Sequence, residues 1–173
     1  LTINGNATFL TTGSLNIGNN FTISSGTFTV ANSAHTLSIA GNYSNNGTFN
    51  NGNGIVVFNK ASGVQTLSGN GTQAFHIFRV TNTGTLNKTL QLGCNINVNN
   101  NLDIQTVRST LNGLTYTINV KGAWTNQGTF TSTGTGTVMF SGTSLQTINR
   151  TIAAGETFNH FTNSNTTGLQ FLS

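Results

Sequence analysis

Short runs of alternating apolar and polar residues recur along the whole chain, for example at residues 21–23, 28–30, 90–92 and 96–98. Successive side chains of a β-strand point to opposite faces, so each run is expected to bury one face. Clusters of Asn, Gly and Ser separate the runs and are typical of turns. The pattern predicts an all-β chain of many short strands.

A spacing of 21 to 22 residues underlies these runs. Residues 15–19 (Leu-Asn-Ile-Gly-Asn) recur at 37–42 as Leu-Ser-Ile-Ala-Gly-Asn, and a Gly-Thr-Phe triplet follows each of them, at 26–28 and 47–49. Periodicity below the size of a domain is typical of solenoids, in which each repeat forms one coil. We therefore expect coils of about 20 residues.

A longer repeat contains the shorter one. Residues 37–49 reappear at 118–130 with an offset of 81, and further matches keep offsets of 81 to 83. The chain is interpreted as a single continuous array, residues 1–173, with long units of about 81 residues at roughly 15–95 and 96–173.

Two architectures are compatible with this organisation, a parallel β-helix (β-solenoid) and a tandem pair of β-sandwich domains. The short periodicity favours the β-helix, and so does the complete absence of proline, because central strands must donate every ladder hydrogen bond. Recurrent Asn and Thr could also form stacked ladders between coils. We predict a parallel β-helix, right-handed as is the rule for parallel crossovers.

Charged residues make up only 5% of the chain, and the 32 Thr, 28 Asn and 14 Ser must supply the polar surface instead. The net charge is +4, but the basic residues lie 9 to 29 positions apart. Nucleic-acid binding requires several phosphate contacts close together, so it is not expected. The basic residues are Lys60, Arg79, Lys88, Arg108, Lys121 and Arg150.

Residues with reactive side chains are few and scattered. Asp103 and Glu156 are the only acids and occupy non-equivalent points of the repeat, while Cys94 is the only cysteine. The histidines, which lack the close spacing of metal ligands, are His35, His76 and His160. The longest apolar run, 55–58, is too short to cross a membrane. We predict no catalytic, metal-binding or cofactor-binding site, no enzymatic activity and no membrane insertion.

Two groups of residues are candidates for ligand contact. Tyr43 and Trp124 occupy equivalent positions of the long repeat and could stack on glycans, or could instead anchor the core. Thr133, Thr135 and Thr137 form a Thr-x-Thr run that could order water on an ice-binding face, although so many threonines also produce such runs by chance.

Residues 41–49, 54–58 and 65–69 resemble the repeats of very large secreted proteins of Bacteroidetes, and 75–82 resembles the segment that closes their unit. The coils are also similar, more weakly, to those of filamentous-haemagglutinin adhesins. The resemblance implies an extracellular or cell-surface, adhesin-like protein, often exported by the type IX route.

These observations predict a structural, non-catalytic repeat segment of an extracellular adhesin or self-assembling surface filament. Its expected partners are copies of itself or neighbouring repeats, joined end to end, with surface glycans as a further partner. The alternative is a carbohydrate-binding or ice-binding β-solenoid module. The chain opens at Leu1, without Met or a signal peptide, which we interpret as a processed or excised piece.

Overall fold

The computed structural model describes residues 1–6, 8–30, 35–151 and 156–172, which contain twenty-three short strands and no helix. Every strand pairing in these ranges is parallel. The strands form a β-solenoid of about seven turns with roughly 22 residues in each coil. The predicted parallel β-helix is confirmed, and β-sandwich domains, which are antiparallel, are excluded.

Each coil contributes one strand to each of three faces, which we call A, B and C, except the last coil, whose described residues form strands on faces B and C. Face A is one sheet of β1 (Thr2–Ile3), β4 (Phe21–Ile23), β7 (Tyr43–Asn45), β10 (Gly63–Gly69), β13 (Lys88–Leu92), β16 (Ser109–Asn112) and β19 (Thr129–Thr131). Face C is one sheet of β3 (Leu15–Ile17), β6 (Thr36–Ile39), β9 (Ile55–Phe58), β12 (Ile77–Val80), β15 (Leu102–Ile104), β18 (Trp124–Asn126), β21 (Gln146–Arg150) and β23 (Leu169–Leu172).

Face B consists of two sheets in succession. The first contains β2 (Thr8–Thr11), β5 (Thr27–Val30) and β8 (Thr48–Asn50). The second contains β11 (Gln73–Phe75), β14 (Ile96–Val98), β17 (Thr117–Val120), β20 (Thr137–Phe140) and β22 (His160–Asn163). Strands β8 and β11 lie side by side, so the two sheets share one face.

Two aromatic clusters fill the interior. The first, with ring centroids 4.9–6.5 Å apart, consists of Phe21, Phe28, Tyr43, Phe49, Phe58, Phe75 and Phe78. The second, with centroids 5.0–6.3 Å apart, consists of Trp124, Phe130, Phe140, Phe158 and Phe161. Between them, from Leu90 to Val120, the buried hydrophobic side chains are aliphatic apart from Cys94. Each copy of the long repeat thus contributes one aromatic cluster.

Glycine is required at turns between strands where the backbone of one coil closely approaches the backbone of the preceding coil. A Cβ at Gly41 would lie 2.3 Å from the backbone carbonyl carbon of Asn19. At Gly122, which is 81 positions later, a Cβ would lie 2.6 Å from the carbonyl carbon of Asn100. Both glycines donate a backbone hydrogen bond to the same residue that they approach, at 3.2 and 3.0 Å.

Equivalent residues of the two long repeats lie on different faces of the solenoid. Tyr43 is in β7 on face A, whereas Trp124 is in β18 on face C. Likewise Phe49 is in β8 on face B, and Phe130 is in β19 on face A. The offset is 11 strands in both pairs (18 − 7 and 19 − 8), which is three coils plus two strands. Each long repeat is therefore turned by two of the three faces relative to the one before it.

The same offset fixes an axial period. Since stacked strands are ~4.8 Å apart, one long repeat advances the solenoid by three and two-thirds coils, or ~18 Å. Three long repeats would return to the starting face after 11 coils, ~53 Å along the axis.

Candidate functional site

Tyr43 and Trp124 are core residues. Both are 0% exposed, so neither ring has a face open to a sugar. The Tyr43 ring meets Phe21 edge to face with centroids 5.7 Å apart, and Trp124 meets Phe130 in the same manner at 5.0 Å. Glycan stacking on these rings is excluded by their burial, and the core-anchor alternative holds for both.

The polar atoms of these two rings end in buried polar clusters. Tyr43 Oη donates to Gln73 Oε1 at 3.4 Å, and Asn45 Nδ2 donates to the same oxygen at 2.7 Å. We call Tyr43, Asn45 and Gln73 the amide cluster. It is fully neutral and satisfies the polar groups that an aromatic ring would otherwise bury unpaired.

The second copy builds the same arrangement around a carboxylate. Trp124 Nε1 donates to Glu156 Oε2 at 3.0 Å, and Asn126 Nδ2 donates to that oxygen at 2.8 Å. Arg150 Nη1 lies 3.3 Å from Glu156 Oε1 and neutralises the charge. We call Trp124, Asn126, Arg150 and Glu156 the carboxylate cluster. Glu156 accepts hydrogen bonds from three side chains, all of which belong to strands of face C.

The first copy has neither the acid nor the base of this ion pair. Arg150 takes the place that Gly69 has in the first copy, 81 positions earlier. A Cβ at Gly69 would lie 2.6 Å from the Gln73 amide nitrogen, so no side chain fits there beside Gln73. The other acid, Asp103, pairs with Arg79 at 3.1 Å on the outside of face C. Each carboxylate is thus held in its own ion pair.

Two buried glutamines cap backbone carbonyls at equivalent corners. Gln146 Nε2 donates to Val120 O at 3.0 Å and to Gly122 O at 2.8 Å. Gln65, 81 positions earlier, donates to the corresponding carbonyls of Ile39 and Gly41. The sequence indicates both glutamines, because each places an amide at a position where the strand alternation predicts a buried apolar residue.

Lys88 is a buried lysine that composition alone places among the surface cations. Its side chain is 1% exposed, and Nζ donates to Phe58 O and, at 3.0 Å, to Thr81 O. Burial lowers the pKa of Lys88 from 10.5 to about 7, with a smaller contribution from the Lys60 charge. The sequence indicates this burial through the strand alternation, because Lys88 lies two and four positions before Leu90 and Leu92, which point inward.

The three candidate ice-face threonines lie together at the corner between faces A and B. Thr137 points outward from β20 beside Thr117 of the neighbouring coil, whereas Thr133 and Thr135 precede the strand. Thr135 Oγ1 donates to Thr115 O at 3.3 Å, and Thr137 Oγ1 donates to Thr135 O at 2.9 Å. The three threonines belong to one coil, so they do not form a row of threonines that runs from coil to coil.

Longer threonine ladders run along two other parts of the surface. On face B the ladder is Thr8, Thr27 and Thr48, and on face A it is Thr89, Thr110 and Thr129. Thr8 and Thr89 are 81 positions apart, as are Thr48 and Thr129. Because each repeat is turned by two faces, the ladders do not align into one long flat face.

A shallow groove of about 290 Å³ lies at the corner between faces A and B of the middle coils. Its lining includes Thr72, Cys94, Asn95 and Tyr116, all uncharged. Burial raises the pKa of the Cys94 thiol to about 11, which keeps it protonated and unreactive at neutral pH. In the ranges that the structure describes, no three His, Cys, Asp or Glu residues gather in a way that could hold a metal ion.

Core side chains are left open at the first and last coils. Phe9 of β2 is 46% exposed, Phe161 of β22 is 41% exposed and Phe171 of β23 is 66% exposed. All three point inward by the alternation of their strands.

The described residues include no helix of the length and apolarity needed to span a bilayer. Comparison with protein-family models, with curated proteins and with solved structures found no match to this chain.

Proposed function

We propose that this chain is a structural, non-catalytic repeat segment of an extracellular bacterial adhesin or surface filament. The observation that carries the proposal is that both long repeats continue through the same parallel ladders, which are unbroken on faces A and C and interrupted once, between β8 and β11, on face B. A further repeat therefore adds length to the same rod without requiring a linker or a new domain interface.

The two ion pairs support a structural role for the carboxylates that catalysis would need. Glu156 is bound by Arg150, Trp124 and Asn126, and Asp103 is bound by Arg79. Paired-carboxylate catalysis needs two acids beside one bond, whereas each of these carboxylates is occupied by its own cation. Both acids are used to hold neighbouring coils together.

The outer surface suits an extended extracellular polypeptide. It consists mainly of Thr, Asn and Ser, with only 5% charged residues in the chain. Stability comes from a packed core without any intrachain disulfide, because Cys94 is the only cysteine. The extracellular location rests on the resemblance to secreted repeat proteins of Bacteroidetes.

The proposal is tested by inserting a second copy of residues 15–95 between positions 95 and 96, where the repeat register is preserved. We expect small-angle X-ray scattering to show a rod ~18 Å longer with an unchanged cross-section. A Gly/Ser insertion of the same length is the control, because it adds mass without adding coils. A thicker particle, or release of reducing sugars from polysaccharides by the purified chain, would contradict the proposal.

A further inference from the structure

We infer that the groove at the corner between faces A and B binds a neutral sugar, which stacks on Tyr116 and hydrogen bonds to Asn95. The inference deepens the proposed function by naming a ligand class for an adhesin segment, and it rests on that function. It is carried by the position of the groove, its uncharged lining and the polar atoms that this lining leaves without partners.

The groove crosses three successive coils in the middle of the rod. Strands β11, β14 and β17 are register partners on face B. Gly71, Cys94 and Tyr116 lie two positions before the first residues that are paired across all three strands, one in each coil. Strands β8 and β20 continue face B on either side. The three coils span ~10 Å along the axis, which suits a disaccharide laid along the corner.

Tyr116 is the aromatic residue available to a ligand. Between residues 21 and 161 it is the only aromatic residue that belongs to neither aromatic cluster. It is half-buried, packs against the hydrophobic core and lines the groove. A tyrosine held in this way offers a ligand both an apolar ring and a hydroxyl group.

The turn before Tyr116 is held in place by hydrogen bonds. Leu114 is the only non-glycine residue of the described chain with a positive φ, at 48°. Its N–H donates to Asn112 Oδ1 at 3.1 Å, and its carbonyl accepts from Thr133 N at 2.8 Å. Tyr116 N donates to Gly113 O at 3.0 Å. The tyrosine is therefore positioned before a ligand arrives, which lowers the entropy cost of binding.

The groove also presents polar atoms that can bind hydroxyl groups. Asn95 Oδ1 accepts from Thr117 N at 2.9 Å, which fixes the amide and leaves Nδ2 as a donor. Among the described residues, neither Asn95 Nδ2 nor the hydroxyls of Thr72 and Tyr116 have a hydrogen-bond partner within the chain. Sugar hydroxyls both donate and accept, so they match this set of one amide and two hydroxyls.

The lining selects a neutral ligand. No charged side chain lines the groove, so a carboxylate or phosphate would lose water there without gaining a countercharge. Space is available as well, because no atom lies within 4 Å of a Cβ built on Gly71. A neutral sugar meets both conditions.

The side chains of the groove are not prescribed by the repeat. The residues 81 positions before Asn95 and Tyr116 are Ser14 and His35. The coil is therefore built equally well without the amide and without the ring. This freedom agrees with residues that serve a ligand rather than the fold.

Nitrogen-15 NMR titrations of the full chain test the inference, with cellobiose, maltose, mannobiose and digalacturonate as probes. At least one of the three neutral disaccharides is expected to shift the backbone amide resonances of Thr72, Asn95 and Tyr116 along one saturable curve. Digalacturonate, which is acidic, is expected to leave these resonances unchanged.

Three variants show which groups bind the sugar. Tyr116→Leu keeps an apolar side chain against the core but removes the ring, and should weaken binding about tenfold or more. Tyr116→Phe retains the ring and should keep most of the affinity. Asn95→Asp keeps the oxygen that accepts from Thr117 N but removes the donor, and should also weaken binding about tenfold. Asn87→Asp, the same change at an exposed position between faces C and A, is the control and should bind as the parent chain does.

The NMR spectrum of each variant shows whether it is folded, and Tyr116→Met replaces Tyr116→Leu if the latter is not. The inference is overturned if no neutral disaccharide produces saturable shifts at the groove, if digalacturonate binds equally well, or if Tyr116→Leu binds as the parent chain does. Absence of sugar binding would leave the rod of the proposed function intact, since the insertion experiment measures length without a ligand. A thickened particle in that experiment would contradict the proposed function alone.

Discussion

Gln73 and Glu156 occupy the same place in successive copies of the long repeat, and each accepts hydrogen bonds from an aromatic residue and an asparagine. The first site is neutral, and the second is charged and includes Arg150. One buried corner thus accommodates either an amide or an ion pair, provided that the position of Gly69 and Arg150 changes with it.

Glu156→Gln is expected to lower the free energy of unfolding by about 3 kcal/mol, because it leaves the Arg150 guanidinium buried without a countercharge. The double variant Arg150→Gly with Glu156→Gln recreates the amide cluster and should recover part of this loss. Urea unfolding followed by Trp124 fluorescence measures both changes. A double variant less stable than Glu156→Gln would contradict the idea that the two positions are coupled.

The matched control lies in the first copy. Gln73→Glu introduces a buried carboxylate beside Gly69, where no arginine is present, and should destabilise the chain. If Gln73→Glu and Gln73→Asn lowered the free energy of unfolding equally, the shape of the side chain rather than its charge would determine stability at this corner.

Lys88 should make stability rise with pH above neutrality. Its pKa is about 7 in the folded chain and near 10.5 when exposed, so between these values the unfolded state binds a proton that the folded state does not. The free energy of unfolding should therefore increase by roughly 2–3 kcal/mol from about pH 6 to about pH 9. Urea midpoints across this range measure the slope.

Lys88→Met should remove this slope and stabilise the chain most at acidic pH, whereas Lys121→Met, at an exposed position, should not. Above pH 9 the slope should fall, because burial raises the pKa of Cys94 from 9.0 to about 11 and raises that of Tyr43. These groups keep their protons in the folded chain, so their contribution is lost as the pH rises. If the free energy of unfolding of Lys88→Met still rose between pH 7 and pH 9, the pH dependence could not be attributed to Lys88.

Gly122→Ala should destabilise the solenoid by about 1–3 kcal/mol, because its Cβ would overlap the backbone of the coil below at Asn100. Gly13→Ala is the control, since no atom lies within 4 Å of a Cβ built there. Thermal unfolding of the two variants gives the comparison. Equal melting temperatures of the two variants would show that the backbones at Gly122 and Asn100 can move apart without loss of stability.

The turn of each long repeat by two faces can be tested by crosslinking in a Cys94→Ala background. Thr110→Cys and Thr129→Cys are ladder neighbours on face A, about 4.8 Å apart, and should be joined by a short bifunctional thiol-reactive reagent such as a bis-alkyl halide. Thr48→Cys and Thr129→Cys are equivalent in the repeat but lie on faces B and A and are ~18 Å apart along the axis. A spin-label distance between them clearly greater than that axial separation is expected, and a distance equal to it would place equivalent residues on one face, contrary to the structure.

The sequence by itself determined the fold class of this protein. Alternation of apolar and polar residues specifies which side chains a strand buries, and the spacing of 21 to 22 residues specifies coils rather than domains. The absence of proline agrees with a solenoid in which 15 of the 23 described strands are paired on both sides. The parallel solenoid follows from these local patterns, since each is read without knowledge of distant contacts.

Only the tertiary structure decided where equivalent residues lie. The sequence shows that an offset of 81 residues is not a whole number of coils. It does not show on which face the equivalent residue lies, because that depends on the number of strands in each coil, which the geometry of the corners sets. Tyr43 and Trp124 are enclosed by side chains of neighbouring coils. The alternation of β13 turns Lys88 inward, but only the fold supplies the carbonyls of two other coils that accept from its ammonium group. Such contacts join residues 7 to 32 positions apart, and no local pattern encodes them.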